Sequence, residues 1–186
     1  MKIGILGNMN NNSNNLAQYL RAEGADAHLL FYENEATHFT PDADEVTQPD
    51  YPQRTINWGS YKNFMNPAKG QQVRDDIAPY DLLIGTRLAP AYLARFTDRK
   101  LDGFMPTGGD IWTVPHFSGF APKNLLKWAF VSRAQRKGIR ESRRIFMDKT
   151  NQIVEDLVTP LFDANRRVET GVPAIYAPSY QGNHWE

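Results

Sequence analysis

Two hydrophobic rhythms take turns along this chain. Residues 2–7 form a short apolar run, an asparagine-rich turn follows, and residues 13–23 carry Leu16, Tyr19 and Leu20 as one apolar stripe at helical spacing. Ser13 is placed to cap that helix, and Gly24 to stop it. Residues 27–32 then read as a second strand. Strand, helix and strand within about thirty residues make a βαβ unit, whose crossover is right-handed almost without exception.

A long polar stretch without a clear period occupies residues 33–66, with Pro41, Pro49 and Pro52 in it. Loops of this length are uncommon in compact domains unless they are functional. The rhythm resumes with a helix over 69–77 and an apolar run at 80–85, of the kind that buried parallel strands show. Further elements are a helix over 88–96 with Pro90 in its first turn, a strand over 101–106 and a helix over 123–137 ended by Gly138. A strand over 143–147 and a helix over 151–162 follow, and a tail with Pro173 and Pro178 is expected to be extended. Strands alternating with helices predict an α/β fold with a doubly wound parallel sheet, Rossmann-like, in one domain covering residues 1–186.

Composition narrows the chemistry. Length and a 41% hydrophobic content suit one globular core. The chain has no cysteine, so a disulfide framework, a thiolate metal site and a cysteine nucleophile are excluded. Its first apolar run is too short for a signal peptide, and no stretch approaches the roughly 20 apolar residues of a membrane span. A cytoplasmic location is expected. Net charge is zero but unevenly spread: residues 23–50 hold eight acidic residues and no Lys or Arg, whereas residues 123–149 hold nine basic residues against Glu141 and Asp148. A basic face of this kind suits phosphates or an anionic membrane surface, and equally a solvated helix.

In open α/β sheets ligands bind beyond the carboxyl ends of the strands, where the strand order reverses. Three strand-end loops therefore hold the candidate chemistry. The first places six asparagines between Gly7 and Leu16 and offers Asn8, Asn10, Asn11, Asn12 and Ser13 as ligand contacts. Neutral amides at a helix N-terminus suit a hydroxylated or phosphorylated ligand; the alternative is a set of Asx-turns and caps with no ligand. The loop lacks the glycine spacing of a dinucleotide fold, the P-loop signature and the acidic residues of a phospho-receiver domain. The second loop, Gly85-Thr86-Arg87, offers the Thr86 hydroxyl and an arginine able to pair with phosphate, or is a plain turn. The third is Thr107-Gly108-Gly109-Asp110-Ile111, followed by Trp112 and His116. An ionised Asp110 can accept two sugar hydroxyls, and His116 can exchange a proton or donate a hydrogen bond.

At these residues the chain resembles the N-terminal, acceptor-side domain of retaining GT-B glycosyltransferases of the family 4 type. The segment Thr107 to Ile111 is similar to the His-Gly-[Ser/Thr]-Asp-Ile-like stretch of that family. Arg136-Lys137-Gly138-Ile139-Arg140 followed by Arg144-Ile145-Phe146 also fits its pattern. Thr107 stands where relatives often carry a histidine, so no imidazole is carried over there, and no catalytic residue is assigned. The resemblance implies sugar transfer with retention and without an obligatory metal or cofactor. The nucleotide-sugar donor would be held mainly by a C-terminal domain with a Glu-x7-Glu motif, absent from these residues. Implied partners are a sugar or glycolipid acceptor and that second domain or a donor-binding subunit. The contrasting expectation is a non-catalytic α/β module that binds a sugar, a nucleotide or a protein.

In the helix over 123–137, apolar residues dominate residues 124–131 almost all round and predict core. Arg133, Arg136, Lys137 and Arg140 follow on the solvent side, and the resemblance implies a peripheral contact with the inner membrane face there, since relatives acting on lipid-linked acceptors often dock through a basic, amphipathic surface. Zero net charge and the absence of a recognised module argue against nucleic acid.

Overall fold

The computed structural model describes residues 1–33, 35, 52–117, 124–147 and 152–169, the side chains of Asn10 and Val154 excepted. Its elements run β1 (Lys2–Leu6), α1 (Asn12–Ala22), β2 (Asp26–Tyr32), β3 (Gln53–Ile56), α2 (Tyr61–Phe64), α3 (Lys69–Ile77) and β4 (Leu82–Gly85). They continue through α4 (Ala89–Phe96), β5 (Gly103–Phe104), α5 (Gly109–Trp112), α6 (Leu125–Glu141), β6 (Arg144–Phe146), α7 (Gln152–Val158) and β7 (Arg167–Val168). The strands form one seven-stranded sheet in the order β3-β2-β1-β4-β5-β6-β7. Every pairing is parallel, with Ile3 opposite Ala27 on one side and Leu82 on the other. The expected α/β class and parallel sheet are therefore present.

Because side chains alternate across a strand, the core divides into two clusters on opposite sheet faces. Ile3, Ile5, Ala27 and Leu29 meet Ala17 of α1 on one face. Leu6, Leu30, Tyr32, Leu83, Phe104 and Ile145 point the other way, into a larger cluster with α3, α4 and α6. The chain steps outward from β1 to β3, crosses back, and continues from β4 to β7. With right-handed crossovers, that reversal puts the helices of the two halves on opposite faces.

Several local expectations are corrected. The polar stretch 33–66 contains β3 and α2. β3 sits at the sheet edge with only Ile56 buried, so its sequence Gln-Arg-Thr-Ile shows no apolar alternation. The cap of α1 is Asn11, in a left-handed conformation, and Ser13 lies inside the helix. Gly24 does end α1: it has φ +83°, its N–H bonds the Arg21 carbonyl, and Ala25 N–H bonds that of Leu20, a Schellman closure. Tyr19 is exposed instead of buried. Gly138 does not end α6, which continues to Glu141. The N-terminal half of α6 is not core, since Leu125, Leu126 and Phe130 are 52%, 79% and 55% exposed. The strand expected over 101–106 is only Gly103–Phe104, and the Gly-Gly-Asp segment folds into the single turn α5. The tail with Pro173 and Pro178 lies outside the described residues. Among the described residues, no helix is long and apolar enough to cross a membrane.

Candidate functional site

The strand order reverses between β1 and β4, so the cleft expected of this topology opens at their carboxyl ends. The asparagine turn follows β1, the Arg87 turn follows β4 and the Gly-Gly-Asp turn follows β5. With neighbouring strands about 4.8 Å apart, the first and last of these turns begin roughly 10 Å from each other. All three non-glycine residues with positive φ among the described residues, Asn11 (60°), Arg87 (53°) and Phe117 (57°), belong to the segments beyond these same strands. Backbone in such conformations costs of order 1 kcal/mol or more and tends to collect at functional edges.

At the end of β1, Gly7 has φ +84°, and a Cβ there would collide with the Thr86 hydroxyl and the Tyr32 ring. Only glycine lets this turn approach β4. Asn8 comes next, fully buried. Its Nδ2 donates to Asn11 Oδ1 at 2.9 Å, and its Oδ1 accepts the Asn14 N–H at 2.9 Å. A residue upstream of the helix thus satisfies one of the open N–H groups of α1, the task normally given to the cap itself. Ser13 Oγ and Asn15 Oδ1 are buried with no hydrogen-bonding partner among the described residues. Asn12 is half-buried in the first turn, and the Asn10 side chain lies outside the described residues.

Glu35, just past β2, ties these turns together. Its Oε1 accepts the Asn8 N–H at 2.7 Å, its Oε2 accepts the Tyr32 N–H at 2.8 Å, and Arg87 Nη1 lies 3.7 Å from Oε1. The Glu35 side chain is 1% exposed and that of Arg87 24%. Burial raises the Glu35 pKa, while the two backbone donors and Arg87 oppose that rise. The Arg87 guanidinium also lies 5.8 Å from the centre of the Tyr32 ring.

Asp110 plays the matching part on the other side. Its carboxylate accepts the Thr107 N–H at 2.9 Å, the Arg87 N–H at 2.9 Å and the Thr107 hydroxyl at 3.2 Å. A single acidic side chain therefore locks the β4 turn to the β5 turn. Gln135 of α6, fully buried, completes the lock: Nε2 donates to the Arg87 and Asp110 carbonyls, each at 2.9 Å, and Oε1 accepts the Ala91 N–H at 3.1 Å. The Thr86 hydroxyl is committed to the Leu6 carbonyl at 3.1 Å and is buried. Thr107, Gly108 and Gly109 stay accessible at the rim. Tyr61 and Trp128 pack edge to face there, with centroids 4.3 Å apart, and Tyr61 lies within electrostatic reach of Asp110 and Arg87. His116 turns away toward α6 and α7: its pKa is lowered by burial first and by Arg136 second, and the ring lies against the backbone of Leu157 and Ile111. Among the described residues, no three His, Asp or Glu side chains converge as a metal site would require.

Burial raises the Asp110 pKa from 3.8 to about 6 against its hydrogen bonds. The folded chain then holds a proton that the unfolded chain releases near pH 4, so stability falls as pH rises from about 4 to 6 and levels off above. The expected drop is about 3 kcal/mol. Urea denaturation across that range should show the slope, and Asp110→Asn should reduce it by the share of this one carboxyl, leaving that of Glu35, whose pKa burial also raises; an unchanged slope in the variant would assign the proton elsewhere.

Glu35 and Gln135 are the site residues that sequence pattern does not single out. Glu35 sits within the aperiodic stretch, and only its place just beyond a strand marks it. Gln135 is one polar residue in a basic helix; its neighbours one turn away, Val131, Ser132, Gly138 and Ile139, are all buried.

No family model and no curated protein matches the chain. Among solved structures, UGT89C1 of Arabidopsis thaliana, a GT-B glycosyltransferase complexed with UDP, is similar with a TM-score of 0.53 and 10% identity. The similarity covers 94% of this chain and 49% of that one, so the chain spans about half the length of that protein. Proteins described as epimerases from Burkholderia cenocepacia (TM-score 0.38, 11% identity, 80% of this chain and 53% of that one) and Bacteroides thetaiotaomicron (0.40, 12%, 81% and 71%) also match. At such identities the likeness to UGT89C1 establishes a shared Rossmann-like fold.

Proposed function

We propose that the chain is the acceptor-side half of a retaining glycosyltransferase that uses a nucleotide sugar, the donor being held mainly by a second α/β domain or subunit. The observation that carries this reading is the fit of 94% of the chain onto about half of a glycosyltransferase complexed with UDP. The interlocked turns at the switch point supply a rigid wall for the cleft that two such halves would close. In the transfer, an acceptor hydroxyl oxygen bonds to the anomeric carbon of the donor on the same face from which the nucleoside diphosphate leaves with its bonding electron pair, and the hydroxyl proton passes to the departing phosphate oxygen.

The residues of this chain divide into two roles. Asn8, Thr86, Glu35, Asp110 and Gln135 have their polar groups engaged by the protein and act as positioning residues. Asn12, the Gly108–Gly109 backbone and the Thr107 hydroxyl oxygen, which donates its proton to Asp110 and can still accept, are accessible polar groups for sugar hydroxyls, with Tyr61 and exposed Trp112 as neighbouring apolar surface. Holding an acceptor here places its hydroxyl without further ordering of the loops, which is how a fixed wall contributes to rate.

Amide NMR titration with a panel of mono- and disaccharides tests the reading. Shifts should concentrate at Asn12, Thr107, Gly108 and Gly109, UDP should bind weakly, and no transfer should occur until a donor-binding half is supplied. Rapid turnover of a nucleotide sugar by the isolated chain would overturn the division into halves. Saccharide or nucleotide binding that never supports transfer with any second half would mark a non-catalytic module instead.

A further inference from the structure

A groove runs over the outside of the layer made by α3, α4 and α6, and two stretches of it, of about 630 and 780 Å³, share Ala94, Arg95 and Lys137. Helices that connect parallel strands run back against them, so the ends of α3 and α4 that line the groove lie where the strands begin, at the opposite edge from the cleft. Its floor is apolar, made by Phe64, Ala94, Phe96 and Ala134. Its walls are cationic: Arg74, Arg99 and Lys137 in one stretch, Arg133, Arg136 and Arg140 in the other, with Arg95 between them. Asp98 and Glu141 are the only carboxylates in the lining.

Neutral groups hold several of these cations in place. Arg74 Nη1 donates to the Phe96 carbonyl at 2.8 Å, and Arg99 Nη1 to the Tyr80 carbonyl at 2.7 Å. The Arg95 guanidinium lies over the rings of Phe64 and Phe96, 4.9 and 5.0 Å from their centres. Carbonyls and ring faces order a guanidinium without cancelling its charge. Lys137 and Glu141, 4.0 Å apart, make the one ion pair of the groove among the described residues. Elsewhere Arg54, Arg143 and Arg167 sit 2.7–2.9 Å from the carboxylates of Asp76, Asp102 and Glu155. The groove is thus a fixed, concave array of like charges that repel one another until an anion enters.

We propose that this groove binds an acidic segment of a partner protein, whose carboxylates pair with Arg95, Arg133 and Lys137 while an apolar side chain between them rests on Ala94 and Ala134. Charge complementarity selects an anion, and shape and floor select among anions. Cations drawn from three helices around a concavity cannot all reach a flat bilayer. A floor of alanine and phenylalanine gives contact to aliphatic side chains, but no hydrogen-bonding partner to the hydroxyls of a nucleic acid. Guanidinium groups already ordered by the protein lose little freedom when the segment binds.

Fluorescence anisotropy of the 186-residue chain with a labelled peptide of about twelve residues, repeating Glu-Glu-Leu, tests this. Binding is expected in about 0.1 M salt, to weaken roughly tenfold in about 0.5 M salt, and to be absent with a Gln-Gln-Leu peptide. Arg95→Ala/Lys137→Ala should weaken it roughly tenfold, and the charge reversal Arg133→Glu/Lys137→Glu should abolish it. These side chains are exposed, so the variants keep the parent's melting curve. Arg144→Ala, at an exposed arginine outside the groove, should bind as the parent does. Failure to bind the Glu-Glu-Leu peptide, equal binding of the Gln-Gln-Leu peptide, or parent-like binding by both groove variants would overturn the proposal. Tighter binding of an oligouridylate of the same length, or release of the peptide by phosphatidylglycerol vesicles, would assign the groove to another polyanion and also overturn it. No sugar or donor enters this assay, so its outcome is separate from that of the glycosyltransferase reading.

Discussion

Gly138→Val is expected to destabilise the fold by about 4 kcal/mol, and Gly138→Ala by about 3 kcal/mol, the larger substitution leaving little native protein at 37 °C. Gly138 lies inside α6 where that helix crosses α4, and the ideal Cβ position at this residue collides with the carbonyl group of Pro90, only 2.8 Å from its Cα. Those contact atoms are backbone, so no side-chain rotation relieves them. Pro90 has a fixed φ in the first turn of α4, whose next turn buries Tyr92 and Leu93 in the main core, so α4 cannot back away locally. Replacing glycine by alanine inside a helix would by itself gain about 1 kcal/mol, which the crossing more than cancels. Urea denaturation of both variants checks this; a parent-like midpoint for Gly138→Ala would show that α4 and α6 have room to separate.

Glu35→Ala is expected to cost about 4 kcal/mol and to loosen the asparagine turn. The substitution removes the acceptor for two N–H groups, Asn8 and Tyr32, and leaves Arg87 without the carboxylate beside it. Breaking a buried charged arrangement from one side costs more than the arrangement contributes, because desolvated partners remain. Glu35→Gln should fall between parent and alanine, since one amide oxygen still accepts while its NH₂ faces a donor. Native-state hydrogen exchange separates this from general weakening. Asn8 and Tyr32 amides should lose protection ahead of Leu83 in β4; simultaneous loss throughout would mean that Glu35 supports the whole fold instead of these turns.

The two halves of the sheet differ in how far their sequence betrays them. β1, β2 and β4 are buried on both faces and stand out as apolar runs, and Gly24 marks the end of α1 because a left-handed closure needs it. β3 and β7 are edge strands of four and two residues whose side chains are mostly in contact with solvent, so composition carries no trace of them. Gly138 reads as a helix terminator by propensity, yet its role is to let two helices touch, a tertiary demand that local rules do not contain. At the cleft, the three turns singled out in the sequence follow β1, β4 and β5, and they contain Asn8, Thr86 and Asp110. The direction of two of those side chains was not legible, because partners far along the chain turn them inward, Leu6 for Thr86 and Arg87 for Asp110, whereas Asn8 turns to Asn11 and Asn14 at its own helix start.

The Gln135 amide has a mechanical consequence. It grips the Arg87 and Asp110 carbonyls and the Ala91 N–H at once, from a position on α6 between Arg133 and Lys137. Sliding α6 along its axis would break three hydrogen bonds, two of them fully buried and each contributing about 1 kcal/mol, unless both strand-end turns travel with it. Any load applied to the outer side of this helix is thereby felt at the cleft wall, like a handle pinned to a jaw.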